Sequence, residues 1–187
     1  TIATTRPEPM FGDTASAVHP KDERYKYLIG QKVLIPIVNR QISIVEDEYA
    51  DPEQGSGAVK ITPAHDFNDF EVGKRNNLEM ISIFDTDGNL NENTPDEWRG
   101  LNRFEARKRL VDQLQIKNFL AKVEDYTHVV PYGDRSYEVI EPFLTDQWYV
   151  DAKKLSIAAI KNVKEGKTKF IPSNWSKTFY EWMNNIQ

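Results

Sequence analysis

The sequence contains no cysteine. That excludes a disulfide framework, a thiolate metal site and a cysteine nucleophile, and it fits a reducing compartment, so a cytoplasmic setting is expected. Histidine is scarce: His19, His65 and His128 stand too far apart for metal-ligand spacing, and no metal site is expected. No apolar run approaches the roughly 20 residues that a membrane crossing requires. The opening TIATTRPEPM lacks the basic-then-apolar pattern of a signal segment. No serine occupies a G-x-S-x-G elbow. Gly55-Ser56-Gly57 is too short for a phosphate loop. In Asp85-Thr86-Asp87-Gly88 the glycine stands too early for a calcium loop, so the segment reads as a turn. No internal repeat or low-complexity stretch is visible.

What is present is enough for a folded domain with a small appendage. The chain has 187 residues, 39% hydrophobic and 11% aromatic, which suffices to bury a core. The charge is uneven. Residues 1–150 hold 17 Lys and Arg against 26 Asp and Glu, whereas residues 151–187 hold seven Lys against three acids. An acidic body grips nucleic acid poorly, because phosphate contacts supply most non-specific affinity. The basic tail reads as a solvated helix face. The chain opens in β-prone TIATT and stops inside the amphipathic TFYEWMNNIQ with no cap or breaker. That pattern suggests a piece of a longer chain.

Local patterns predict short strands at residues 2–5, 57–62 and 80–84. A hairpin is expected from 33–38 and 41–45 around Asn39-Arg40. Helices are expected at 22–29, closed by Gly30, and at 68–75. The clearest helix spans 104–120, with Asn102 and Glu105 as a capping-box-like start. Residues 123–130 and 139–150 read as extended, 152–163 as helix, 169–171 as a short strand, and Trp175 onward as helix. The irregular mixture points to an α+β fold. A small mixed or antiparallel β-barrel with peripheral helices is expected over residues 1–144, and an αβ segment over 145–187.

Two segments concentrate the chemistry. In GSGAVKITPAHDFNDFEVG, Gly55 to Gly73, a strand runs into a proline turn and then a helix. Lys60 and Thr62 alternate onto one strand face. Asp66 falls at the N-cap and Asp69 three residues on, where carboxylates are favoured by the free amides whatever else they do. A cation, a hydroxyl and two carboxylates on one edge suit a substrate with a free α-amino group. In TTRPEPMFGD, Thr4, Thr5 and Arg6 end at Pro7. Arg6 is a forked donor for a carboxylate or phosphate, or a partner for Glu8 or Asp13 in a salt bridge.

These segments together resemble the editing domains of the valyl-, leucyl- and isoleucyl-tRNA synthetases. TTRPEPMFGDTASAVHP is similar to their threonine-rich segment, and the valyl branch fits Lys60-Ile61-Thr62-Pro63-Ala64-His65-Asp66 best. DRSYEVIEPFLTDQWYV and FIPSNWSKTFYEWMNNIQ resemble the stretches by which the chain leaves the editing domain and returns toward the synthetic core. The chain departs from the family at Pro9, where threonine is usual, at Gln54 in place of a bulky residue, and at Ser56 in place of threonine. The HIGH-like and KMSKS-like activation signatures are absent.

The resemblance implies hydrolysis of the ester in mischarged threonyl-tRNA(Val). Lys60, Thr62, Asp66 and Asp69 are then the catalytic set, with Asp69 holding the α-ammonium. Thr4, Thr5 and Arg6, with Asp66 and Asp69, bind the aminoacylated 3′ end of tRNA. Editing implies no cofactor, and ATP serves only the full-length ligase. The implied partners are tRNA(Val) and the remainder of the synthetase in the same chain. A monomer and no membrane contact are expected. The alternatives are leucyl or isoleucyl editing, a free-standing deacylase, and a non-catalytic module for the tRNA acceptor end.

Overall fold

Small residues set the centre of the sheet. Ala15–Val18 (β1) reads ASAV and is buried at all four positions. Such a strand can be covered on both faces. In the computed structural model, which describes residues 1–186, β1 pairs on both sides. Lys32–Leu34 (β2), Gln41–Glu46 (β3) and Ala58–Ile61 (β4) complete a four-stranded sheet in the order β2-β3-β1-β4. β1 is parallel to β3 and antiparallel to β4. The β2–β3 hairpin pairs Leu34 with Gln41. Pro36, which has no N–H to give a ladder, stands two residues past the end of β2 and keeps that strand short.

The sheet is open, which corrects the expected barrel. β2 and β4 are its two edges, and the segments that were to close it do not join. Residues 2–5 form no strand. From 80–84 only Phe84 bridges, to Leu90, and from the stretches after 122 only Val139 bridges, to Tyr132. Closing a barrel takes a full ring of tilted strands, about eight in common cases. The mixed α+β character holds.

The structure forms two compact units, Thr1–Leu144 and Thr145–Gln187. In the first, Phe67–Arg75 (α1) covers the sheet, where Val72 joins Ala15, Ala17, Ala50 and Ile61. A second cluster of Phe11, Ile83, Phe84, Leu90, Trp98 and Leu110 packs under Arg103–Ile116 (α2). The helix stops short of the expected Leu120 because Asn118 turns left-handed at φ 58°. The expected helix at 22–29 shrinks to a single 3-10 turn at Lys26–Leu28.

The second unit holds two helices. Ala152–Lys164 (α3) is capped by Asp151, which accepts from Lys154 N at 2.9 Å. Trp175–Asn184 (α4) packs against it. Lys169–Ile171 is not a strand. No helix among the described residues is long and apolar enough to cross a membrane.

Candidate functional site at the corner between β4 and α1

The register of β1 against β4 builds the site. Ala15 stands opposite Ile61, and Thr14 N donates to Ile61 O at 3.0 Å. The next residues, Asp13 and Thr62, therefore meet where the ladder ends. Thr62 is fully buried and donates its hydroxyl to Asp13 Oδ1 at 2.5 Å. Lys60 lies on the same strand face and donates Nζ to Thr62 Oγ1 at 2.6 Å. Gly12 makes room for this contact, since a Cβ there would lie 2.9 Å from Ile81 O and 3.3 Å from Thr62 Cγ2.

α1 supplies the other wall. Asp66 is the N-cap, and its Oδ1 accepts from Asn68 N at 2.8 Å and Asp69 N at 3.0 Å. Asp69, one turn in, accepts from Thr62 N at 2.9 Å through Oδ2, and that oxygen is 3.7 Å from Lys60 Nζ. Gly73 lets the helix approach, because a Cβ would meet Pro63 carbons at 2.8 and 2.9 Å. One ammonium thus faces two buried carboxyls. Burial pushes Asp13 up to about 7, against the pull of Lys60 and the Thr62 hydroxyl. Burial also raises Asp69, again opposed by Lys60.

Beside this corner lies a charged network. Arg6 donates Nη2 to Glu141 and approaches Glu8 at 3.5 Å through Nε. Glu8 is fully buried and takes both arms of Arg107, from α2, at 2.8 Å each. Glu141 also faces Arg103 at 3.6 Å and His65 Nδ1 at 3.9 Å. His65 accepts from Ile83 N through Nε2 at 2.9 Å, and burial lowers it to about 4, so the ring is neutral. Thr4 binds locally, its hydroxyl donating to Arg6 O at 3.0 Å, and Thr4 and Thr5 are both exposed. Among the described residues no group of three His, Cys, Asp or Glu is placed to hold a metal ion.

Residues 30–187 match the family model of the class I tRNA synthetases (I, L, M and V). The chain belongs to the class I tRNA synthetases. It is 64% identical to the valine–tRNA ligase of Pelagibacter ubique, over all of this chain and 21% of that protein. Identity to the valine–tRNA ligase of Caulobacter vibrioides is 58%, over all of this chain and 20% of that protein. The chain thus spans about one fifth of the length of these curated relatives. A crystal structure of an Agrobacterium radiobacter LeuRS–tRNA–LeuAMS complex is similar at 20% identity and a TM-score of 0.46, over 61% of this chain and 16% of that one. That likeness is too slight to argue from.

Within this synthetase chain the sequence-predicted residues fall into two groups. Lys60, Thr62 and Asp69 touch one another, with Asp66 on the adjoining helix turn. Arg6 sits in the carboxylate network, the salt bridge to Glu8 included, with Thr4 beside it. Two surface hollows lie elsewhere, one lined by Pro20, Asp47, Tyr49 and Arg75, the other by Glu181, Trp182 and Asn185. Sequence reasoning missed Asp13 and Glu141 as site members. Asp13 had one usable signal: it ends the same short segment as Arg6.

Proposed function

We propose that this chain hydrolyses the ester of mischarged threonyl-tRNA(Val), as the editing part of a valine–tRNA ligase. The observation that carries the reading is the contact of Lys60, Asp13 and Asp69 around Thr62. Its open valences suit a small amino acid with a free amine and a hydroxyl. Asp69 uses Oδ2 for Thr62 and Lys60, which leaves Oδ1 for an α-ammonium. Asp66 uses Oδ1 for the cap, which leaves Oδ2 for a hydroxyl. Lys60, its side chain 17% exposed, keeps a further N–H for a substrate oxygen. Thr62 has its hydroxyl proton and a lone pair committed to Asp13 and Lys60. In this reading it fixes Lys60 in place rather than meeting the substrate.

Valine and threonine are near isosteres, and the pair is a known case in which an apolar pocket discriminates poorly and a second, hydrolytic site is needed. A site that hydrogen-bonds the threonine hydroxyl leaves one Lys60 N–H and Asp66 Oδ2 without that partner when valine enters. In the reaction, water adds to the ester carbonyl and an oxyanion forms. The bond from the carbonyl carbon to the ribose oxygen then breaks, that oxygen takes a proton, and threonine and tRNA separate. Positioning and the donors around Lys60 supply the rate. Arg6, with Thr4 and Thr5, binds the tRNA 3′ end. The rest of the ligase supplies most of the grip on tRNA(Val), since residues 1–150 are acidic.

The test is hydrolysis by this chain of threonyl-tRNA(Val) beside valyl-tRNA(Val). Release of threonine well above release of valine is expected. Equal rates, or none, would refute the reading. Mischarged tRNA(Leu) and tRNA(Ile) in the same assay separate this reading from leucyl or isoleucyl editing.

A further inference from the structure

We propose that Glu141 is a positioning residue that holds the Arg6 guanidinium for the tRNA 3′ end, an inference that rests on the substrate-binding role given to Arg6 above. Glu141 lies 135 positions along the chain from Arg6, yet its carboxylate takes the Arg6 Nη2. Glu8 stands against the Nε edge at 3.5 Å. Carboxylates on two edges fix the plane of a guanidinium that otherwise swings through many rotamers. The Nη1 edge makes no hydrogen bond among the described residues, and the side chain keeps 29% exposure. Arg6 therefore offers one free edge in one orientation.

The hold is anchored to the catalytic corner. Glu141 also faces His65 Nδ1 at 3.9 Å, and His65 belongs to the turn between Thr62 and Asp66. Arg103 of α2 approaches the other oxygen of Glu141 at 3.6 Å. Glu141 thus links three separate parts of the chain: the Thr4–Arg6 segment, the corner and α2. The charge balance also points outward. Arg6, Arg103 and Arg107 carry three positive charges against two on Glu8 and Glu141, with His65 neutral. The excess cation with a free edge is Arg6, which suits an anionic phosphate.

The experiment measures kcat and KM for threonyl-tRNA(Val) with the unmutated chain, Glu141→Gln, Arg6→Ala and the double variant. Glu141→Gln keeps the shape and removes the charge. It is expected to raise KM about tenfold while kcat stays within about twofold. In the Arg6→Ala background Glu141→Gln is expected to add nothing further. A folded Glu141→Gln chain with unchanged KM, or an equal KM rise with and without Arg6, overturns the inference. Should Glu141→Gln fail to fold, acidification neutralises the same carboxyl without substitution. Glu141 faces Arg6, Arg103, Glu8, His65 and Arg107, and burial raises its pKa. KM should then rise as pH falls in the unmutated chain and stay level in Arg6→Ala; parallel rises in both overturn the inference. An unmutated chain that hydrolyses no aminoacyl-tRNA fails the functional reading itself and takes the inference with it. An active chain indifferent to Glu141 fails the inference alone.

Discussion

The Thr62 hydroxyl lies 2.5 Å from the Asp13 carboxylate, and both groups are closed to water. A bond in that setting is costly to break, because its partner is left without solvent. Thr62→Val keeps the shape and strips the hydroxyl, so Asp13 and Lys60 both lose a neighbour. The expected cost is about 1–3 kcal/mol of unfolding free energy. Thr62→Ser keeps the hydroxyl and should recover most of it. Urea midpoints of the three chains at one pH decide the matter, and a Val variant as stable as the unmutated chain sinks the claim.

Asp13 and His65 should pull stability in opposite directions with pH. Asp13 titrates at 3.8 when unfolded and about 7 when folded. Its contribution is full below 3.8 and is lost as pH rises toward 7, because the unfolded chain releases the proton first. His65 titrates at 6.5 unfolded and about 4 folded. Its contribution is present above 6.5 and is lost as pH falls toward 4. The two nearly cancel between those limits. Replacing one unmasks the other: relative to the unmutated chain, Asp13→Asn should gain stability as pH rises from 4 to 7, by at most about 1.4 kcal/mol per pH unit. His65→Gln should lose stability over the same climb. Chemical denaturation at several pH values reads both slopes, and parallel curves for all three chains would remove Asp13 and His65 from the account.

Much of this corner was legible because its signals are local. Asp66 before a helical run at 68–75 is a cap by chemistry alone, and the helix forms at Phe67–Arg75. The alternation that put Lys60 and Thr62 on one face needs only the strand period, and their contact is 2.6 Å. The failures are non-local. β1 reads ASAV, with little β propensity, and exists because two partners cover it. TIATT has the propensity and finds no partner strand. Asp13 is one carboxylate among many until the β1–β4 register sets it beside Thr62. Arg6 and Glu141 illustrate the same limit across 135 positions. The threonine-rich segment marked Arg6 as a binding group and offered Glu8 as a nearby partner, but nothing in it pointed to Glu141.

Gly73 tests how closely α1 must dock. A Cβ there would lie under 3 Å from two carbons of the rigid Pro63 ring, so the helix or the turn must shift. Gly73→Ala should therefore destabilise the chain by about 1–3 kcal/mol despite better helix propensity. It should also lower the proposed deacylation, because α1 carries Asp69 and the turn carries Thr62. An alanine variant that is more stable than the parent would show that the helix has slack.

Asp69 separates structure from chemistry most sharply. Its Oδ2 accepts from the buried Thr62 N–H at 2.9 Å and stands 3.7 Å from Lys60, so it supports the fold as well as the proposed ammonium site. Asp69→Ala removes both roles. It leaves a buried N–H without a partner, an expected loss of about 1–3 kcal/mol. Asp69→Asn keeps an oxygen for Thr62 and discards the charge. Because burial raises the Asp69 pKa, the neutral side chain is tolerated in this place, and Asn should fold with near-parental stability. An ammonium ion, however, is held by a carboxylate far better than by an amide. Threonine release from threonyl-tRNA(Val) should therefore fall at least about tenfold in Asp69→Asn, in a chain whose melting curve is unchanged. Full activity in the Asn variant would mean that the α-ammonium is bound elsewhere, and Asp69 would be left as a strut between α1 and β4.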